Sequence, residues 1–269
     1  MRDLMYPEDA RKVYNALLRG LEYDAAIAVL GNGVKLLAPL GNQPDFSTGI
    51  KFGDKEADEA VRRDAPGLFS RFALLSMITR IEEFNRSLLS QRHVLEELKA
   101  PGQKMTPPQI WSILRQVYKK IRENSATEVV TKLIVTKPSA ELVEQASWLT
   151  SLIKVRNCLA HRRGVVQIDD VKERGTPIEQ VKDTDTLKAQ WLKVKASVAG
   201  KEIKKFPYSV AGQTQLDVHF EVYERSWKIG EIIHITPLEC QGMAQSLAIL
   251  GGKVLSEFEI EMNPLFGIK

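Results

Sequence analysis

The hydrophobic period changes twice along this chain, and no single-layer fold accommodates that. From Pro7 to His161 apolar residues recur every three or four positions, as on helices that bury one face. After Gly164 the period drops to two. Leu192, Val194, Ala196 and Val198 alternate with Lys193, Lys195 and Ser197, and Leu216, Val218, Phe220 and Val222 alternate with Asp217, His219, Glu221 and Tyr223. Helical spacing then returns through Met243, Leu247, Leu250, Val254 and Phe258. The pattern predicts a mainly α protein with a small antiparallel β insertion before the last helix, the sheet burying one face.

Punctuation sharpens this reading. Pro7 opens a first helix carrying Val13, Leu17, Leu18 and Leu21, and a second is expected over Ala25–Leu37, kinked near Gly31 and Gly33. Gly41 to Asp54 reads as a loop. Gly67 to about Lys99 gives the longest helix, with Phe69, Phe72, Ile78, Ile81, Phe84 and Leu88 in its apolar stripe. Arg80, Glu82, Glu83, Arg86 and Arg92 lie opposite. Thr106-Pro107-Pro108 and Lys137-Pro138-Ser139 open two further helices, and Gly164 stops the second of these. Val165–Ile168 reads as a short extended piece, Asp169–Asp185 as a loop and Ile229–Ile235 as another strand. Gly200 and Gly212-Gln213 read as turns. Thr236-Pro237-Leu238-Glu239 carries an N-cap, a proline at the first helical position and the glutamate of a capping box. Four segments follow: an amino-terminal helical part (1–64), a helical core (65–170), the β insertion (171–235), and a closing helix with a tail (236–269).

Composition narrows the function classes. At 269 residues and a net charge of +4, the chain permits a polyanionic partner without demanding one. Two cysteines, Cys158 and Cys240, make neither a disulfide framework nor a four-ligand zinc site, and both lie in apolar helical stretches. Reduced, buried thiols, no apolar leader at the start and no uninterrupted apolar span imply a cytoplasmic protein without a membrane segment. No cofactor motif is present. Gly31-x-Gly33 is too short for a phosphate loop, and His93, His219 and His234 lack metal-ligand spacing, so no metal is expected. His219 reads as exposed on a strand, His234 as structural, and His93 as solvated. Lysines around Trp191 and Phe206 (188, 193, 195, 201, 204 and 205) could line a nucleic-acid groove, but read better as a solvated sheet face.

One local cluster carries chemistry: Arg156-Asn157-Cys158-Leu159-Ala160-His161-Arg162-Arg163-Gly164. For this composition chance supplies about 0.24 Arg-x4-His pairs, and demanding Asn after Arg lowers that to about 0.006. Asn157 and His161 share a helix face, whereas Arg156 points about 140° away from His161. Histidine relays protons near neutral pH, and the guanidinium fork matches phosphate oxygens. The plainer account makes these side chains basic caps on a helix C-terminus. Arg86 and His93, with six residues between them, make a second such pair, but mid-helix.

Arg156-Asn157-x3-His161 resembles the Arg-x4-6-His motif of the HEPN superfamily, in which a polar residue follows the arginine near the end of the third long helix of an all-α bundle. The order of helices over 67–170 and 236–262 is similar; the β insertion departs from the minimal pattern. The resemblance implies a HEPN-like bundle and a metal-independent endoribonuclease, with attack by the ribose 2′-OH leaving a 2′,3′-cyclic phosphate and a 5′-OH. It implies His161 as general acid/base, Arg156 as phosphate and transition-state stabiliser, Asn157 as a positioning residue, and Arg162 and Arg163 as RNA contacts. It further implies a homodimer with a composite site, a role as toxin or in antiviral defence, and an antitoxin or nucleotidyltransferase partner. The alternatives are a non-catalytic HEPN module binding nucleotide, RNA or a partner protein, and a helical dimer module in which the motif is accidental.

Overall fold

A computed structural model describes residues 7–33, 55–98, 106–123, 135–172, 177–182, 184–198, 201–202 and 216–266. The long helices are α1 (Pro7–Gly33), α2 (Lys55–Leu98), α3 (Pro107–Glu123), α4 (Ala140–His161) and α6 (Pro237–Phe266). A single turn, α5 (Ile168–Val171), and a short 3-10 helix (Ile178–Gln180) lead into β1 (Thr186–Val198), β2 (Lys201–Glu202) and β3 (Leu216–Lys228). The protein is mainly helical, with a small antiparallel sheet of order β2-β1-β3 before the last helix.

α2 is the axis of the body. α1, α3, α4 and α6 all pack on it, and its Leu74, Met77, Ile78, Ile81, Phe84, Leu88 and Leu89 are buried. α1 joins the same core through Ala10, Leu17, Leu21 and Ala28. Because neighbours surround α2, the side expected to face water is largely covered. Arg80, Glu82, Arg86 and Arg92 are half-buried, while Glu83 is exposed. Buried charge must then be met by partners. Arg80 donates to Asp24 at 2.7 Å, and Arg86 donates to the Ile121 carbonyl at 2.7 Å, closing the end of α3.

Several helix boundaries fall where the local chemistry puts them. Ser139 caps α4 by accepting from the Leu142 N–H. Thr236 and Glu239 form the reciprocal box at the start of α6: the Thr236 N–H donates to the Glu239 carboxylate, and the Glu239 N–H donates to Thr236 Oγ1. Other expectations need correction. Residues 25–33 continue α1 without a break, so the glycines weaken the helix without ending it. α2 begins at Lys55, well before Gly67. The expected loop 41–54 lies outside the described residues, as do Gly200, Gly212 and Gln213.

The sheet corrects two further expectations. Ile229–Ile235 is not a strand. It turns at Gly230 and makes an isolated bridge from Ile232 to Val165, with Ile233 and Ile235 buried and His234 exposed. The apolar face also switches along the ribbon. Leu187, Ala189 and Trp191 form the buried side of β1, where α4 and α6 back it. Ser151 accepts from the Gln190 N–H, Ser246 accepts from the Leu192 N–H, and a Cβ on Gly242 would come within 2.9 Å of Trp191. Beyond that point no helix among the described residues covers the expected inward face, and Phe220 is 56% and Val222 47% exposed. Lys188–Glu224 and Lys195–Glu221 pair across the strands at 3.0 and 2.6 Å, and Trp191 is buried; Phe206 lies outside the described residues.

Among the described residues no helix is long and apolar enough to cross a membrane, and no group of three or more His, Cys, Asp and Glu is placed to hold a metal ion.

Candidate functional site at the end of α4

α4 stays regular to His161, its last residue, and buries Leu149, Leu152, Ile153, Val155, Cys158 and Leu159 on the core side. Arg162 is the C-cap. Its N–H and that of Gly164 both donate to the Cys158 carbonyl, at 2.9 and 3.2 Å. The turn requires left-handed backbone at Arg163 (φ 55°) and Gly164 (φ 81°). A non-glycine residue there costs about 1 kcal/mol. The chain beyond is pinned to the segment before α6. The Val166 N–H donates to Glu231 O, the Gly230 N–H to Val166 O, and the Ile233 N–H to Gly164 O.

Backbone N–H groups therefore cap this helix, and the basic side chains are left for other uses. His161 and Arg163 are both exposed. His161 has no hydrogen-bond or ion-pair partner among the described residues. Arg156 is half-buried, and its Nη1 donates to Asn157 Oδ1 at 2.9 Å. Asn157 thus orients the arginine beside it. Arg162 is committed differently. Its Nε donates to Gln167 Oε1 at 3.1 Å, and its Nη1 donates to the buried carboxylate of Asp170. That carboxylate also accepts the Gln167 N–H, so Arg162 locks α5 to the end of α4. His161 is five positions after Arg156 on a regular helix, so within one chain they diverge around the axis.

Two acidic and basic neighbours escaped the sequence reading. Glu82 on α2 faces Arg156 electrostatically. Burial pushes its carboxyl above the usual range, an effect that the attraction of Arg156 and Arg86 only partly offsets. Its Oε1 is buried without a hydrogen-bond partner among the described residues. Nothing in the helical pattern separates Glu82 from a solvated acid; only the packing around α2 does. Arg71, also on α2, lies beneath the turn. Its guanidinium carbon would be 3.6 Å from a Cβ on Gly164, and its Nη2 donates to Ile233 O at 3.5 Å. The mid-helix pair is occupied elsewhere, since Arg86 holds the end of α3 and His93 sits 3.3 Å from Glu96.

The thiol inside the motif is structural. Cys158 is buried and donates to the Val165 carbonyl at 3.3 Å, and burial, with Asp170 nearby, pushes it up to about 12. Cys240 is likewise pushed up to about 12 by burial and donates to Ser70 O. Neither holds appreciable thiolate near neutral pH. A disulfide reagent applied to the native protein is expected to register no thiol, and two once denaturant is added.

No protein-family model, no curated protein and no solved structure matches the chain.

Proposed function

We propose that the end of α4 is the catalytic centre of a metal-independent endoribonuclease of HEPN type, assembled across the two-fold of a homodimer. The observation that carries this reading is the division of labour at the helix end. Backbone groups do the capping, Asn157 holds Arg156, and His161 is left exposed without a partner among the described residues. A structural cap needs no free imidazole, whereas proton transfer does.

In the proposed reaction a His161 imidazole takes the proton from a ribose 2′-OH. The oxygen attacks the adjacent phosphorus, and Arg156 stabilises the charge developing on the phosphoryl oxygens. The leaving 5′-oxygen takes up a proton, giving a 2′,3′-cyclic phosphate and a 5′-OH. Since Arg156 and His161 diverge within a chain, the arginine of one protomer works with the histidine of its partner. Arg163 supplies an exposed phosphate contact. Arg162 holds α5 and contributes by fixing the turn. A toxin or antiviral role restrained by an antitoxin or nucleotidyltransferase follows only from the family resemblance.

The direct test is incubation with structured and unstructured RNA in EDTA. Cleavage to cyclic-phosphate ends by the wild type, lost in Arg156→Ala and His161→Ala, is the expected result. Equal cleavage by all three rejects the site. No cleavage by any, with RNA or nucleotide still bound, favours the non-catalytic module.

Glu82 provides a finer prediction. Its carboxyl is raised in the folded state, so its contribution to stability is present below the ordinary carboxylate value and is lost as pH rises through the raised one. Glu82→Gln removes that loss. It is expected to raise Tm by a few degrees at about pH 7.5 and by less at about pH 4. Without the opposing carboxylate Arg156 loses its electrostatic anchor, so cleavage should fall about tenfold while stability rises. Thermal melts at the two pH values, alongside the RNA assay, check both signs.

A further inference from the structure

We propose that the outer face of α3 is a docking platform for single-stranded RNA, with an unpaired base stacked on Trp111 and backbone phosphates held by Arg115 and Lys119. Trp111 is 65% exposed, whereas the other three tryptophans, Trp148, Trp191 and Trp227, are at most 7% exposed. The ring stands in water on a helix whose opposite face is packed, beside exposed cations, which gives a base a surface to stack on. Val117 and Ile121 are buried against the body, and Ile110 and Ile113 are partly covered. Pro107, Pro108, Ser112 and Arg115 line a shallow groove beside the indole.

The spacing suits a strand. Trp111, Arg115 and Lys119 lie four apart, so they form one exposed row about 12 Å long. The charge selects a polyanion. From Pro101 to Glu123 the sequence holds Lys104, Arg115, Lys119, Lys120 and Arg122 against Glu123 alone, a net of +4. The stretch is strongly basic for its length, with a single acid at its end. Two features favour RNA over an anionic membrane. Ile110, Ile113, Val117 and Ile121 of α3 are turned toward the protein, so among the described residues Trp111 is the exposed aromatic of this helix and no broad apolar face is offered for insertion. An isolated ring flanked by cations matches the stacking-plus-phosphate recognition of unpaired bases. The platform binds whether or not the motif at the end of α4 cuts.

The experiment uses full-length protein and a short 2′-O-methyl oligouridylate, which has no 2′-OH to attack. Acrylamide quenching of tryptophan emission reports on Trp111, since the other indoles are buried. The oligonucleotide is expected to quench the exposed component and shield it from acrylamide. Trp111→Ala should weaken binding about tenfold with an unchanged melt, and Trp111→Phe should recover most of it. Arg115→Ala with Lys119→Ala should lower the slope of log affinity against log salt by about 1.4. Three results would overturn the proposal: an emission unchanged by the oligonucleotide, a Trp111→Ala variant that binds as tightly as wild type, or a blue shift with phosphatidylserine vesicles and none with RNA. Because the probe cannot be cleaved, failure here is distinct from failure of the nuclease reading.

Discussion

Arg156→Ala and His161→Ala homodimers, each inactive alone, are expected to regain RNA cleavage when mixed. α4 is regular to His161, so a single chain cannot aim both side chains at one phosphate. A two-fold brings the second copy of each to the same cleft. Each substitution alone should reduce cleavage by about 10²–10⁴, the usual contribution of a positioned acid/base or charge stabiliser. Mixing under conditions that exchange subunits makes about half of the dimers mixed. Each mixed dimer keeps one intact arginine and one intact histidine on opposite protomers, so activity should return to roughly a quarter of wild type. Recovery would establish that the site is shared between chains. If both variants are inactive and the mixture stays inactive under verified exchange, the composite site is wrong. Asn157→Ala tests the same geometry more gently. It releases Arg156 Nη1 and should cost about tenfold, with Asn157→Asp, which keeps an acceptor oxygen, partly restoring activity.

What the sequence made legible was mainly local chemistry. Ser139, the Thr236–Glu239 box, the prolines opening α3 and the glycine closing α4 each act within a few residues, and each falls at a helix boundary. Properties that depend on what lies opposite were not readable. Glu82 looks like any surface acid until α2 is found at the centre of the bundle. Ile229–Ile235 has strand composition, but its backbone groups pair with 164–166 across a turn instead of along a ladder. His234 sits between buried isoleucines, yet this irregular segment points it outward. The ribbon's alternation was read correctly as a strand pattern, while the covered side lies at Leu187, Ala189 and Trp191, where α4 and α6 back β1, and Phe220 and Val222 are exposed. At the candidate site the residue types were recognised, but their division of labour was not. Asn157 serves Arg156, and Arg162 serves Asp170.

That last assignment yields the largest stability effect. Arg162→Ala is expected to destabilise the fold by about 3 kcal/mol, against a few tenths for Arg163→Ala. The Asp170 side chain is 3% exposed, and Arg162 is its cationic partner; the other contacts are weaker or outside. Truncating the arginine leaves a buried carboxylate that keeps, among the described residues, the Gln167 N–H and the weakly donating Cys158 thiol but no cation to balance its charge. For a chain of this size the loss corresponds to a Tm drop of roughly 8 °C. The damage is electrostatic, so removing the stranded charge should relieve it. Asp170→Asn in the Arg162→Ala background is expected to be more stable than Arg162→Ala alone, and the double-mutant cycle should show a coupling of about 2 kcal/mol. Additive losses would mean that Arg162 acts through its aliphatic stem and not its charge. The functional readout then separates anchor from contact. Arg162→Ala lowers cleavage only as far as the turn bearing His161 and Arg163 loosens, so cooling the assay should restore much of it. Arg163→Ala leaves the melt unchanged and raises KM through loss of a phosphate contact, an effect that cooling does not repair.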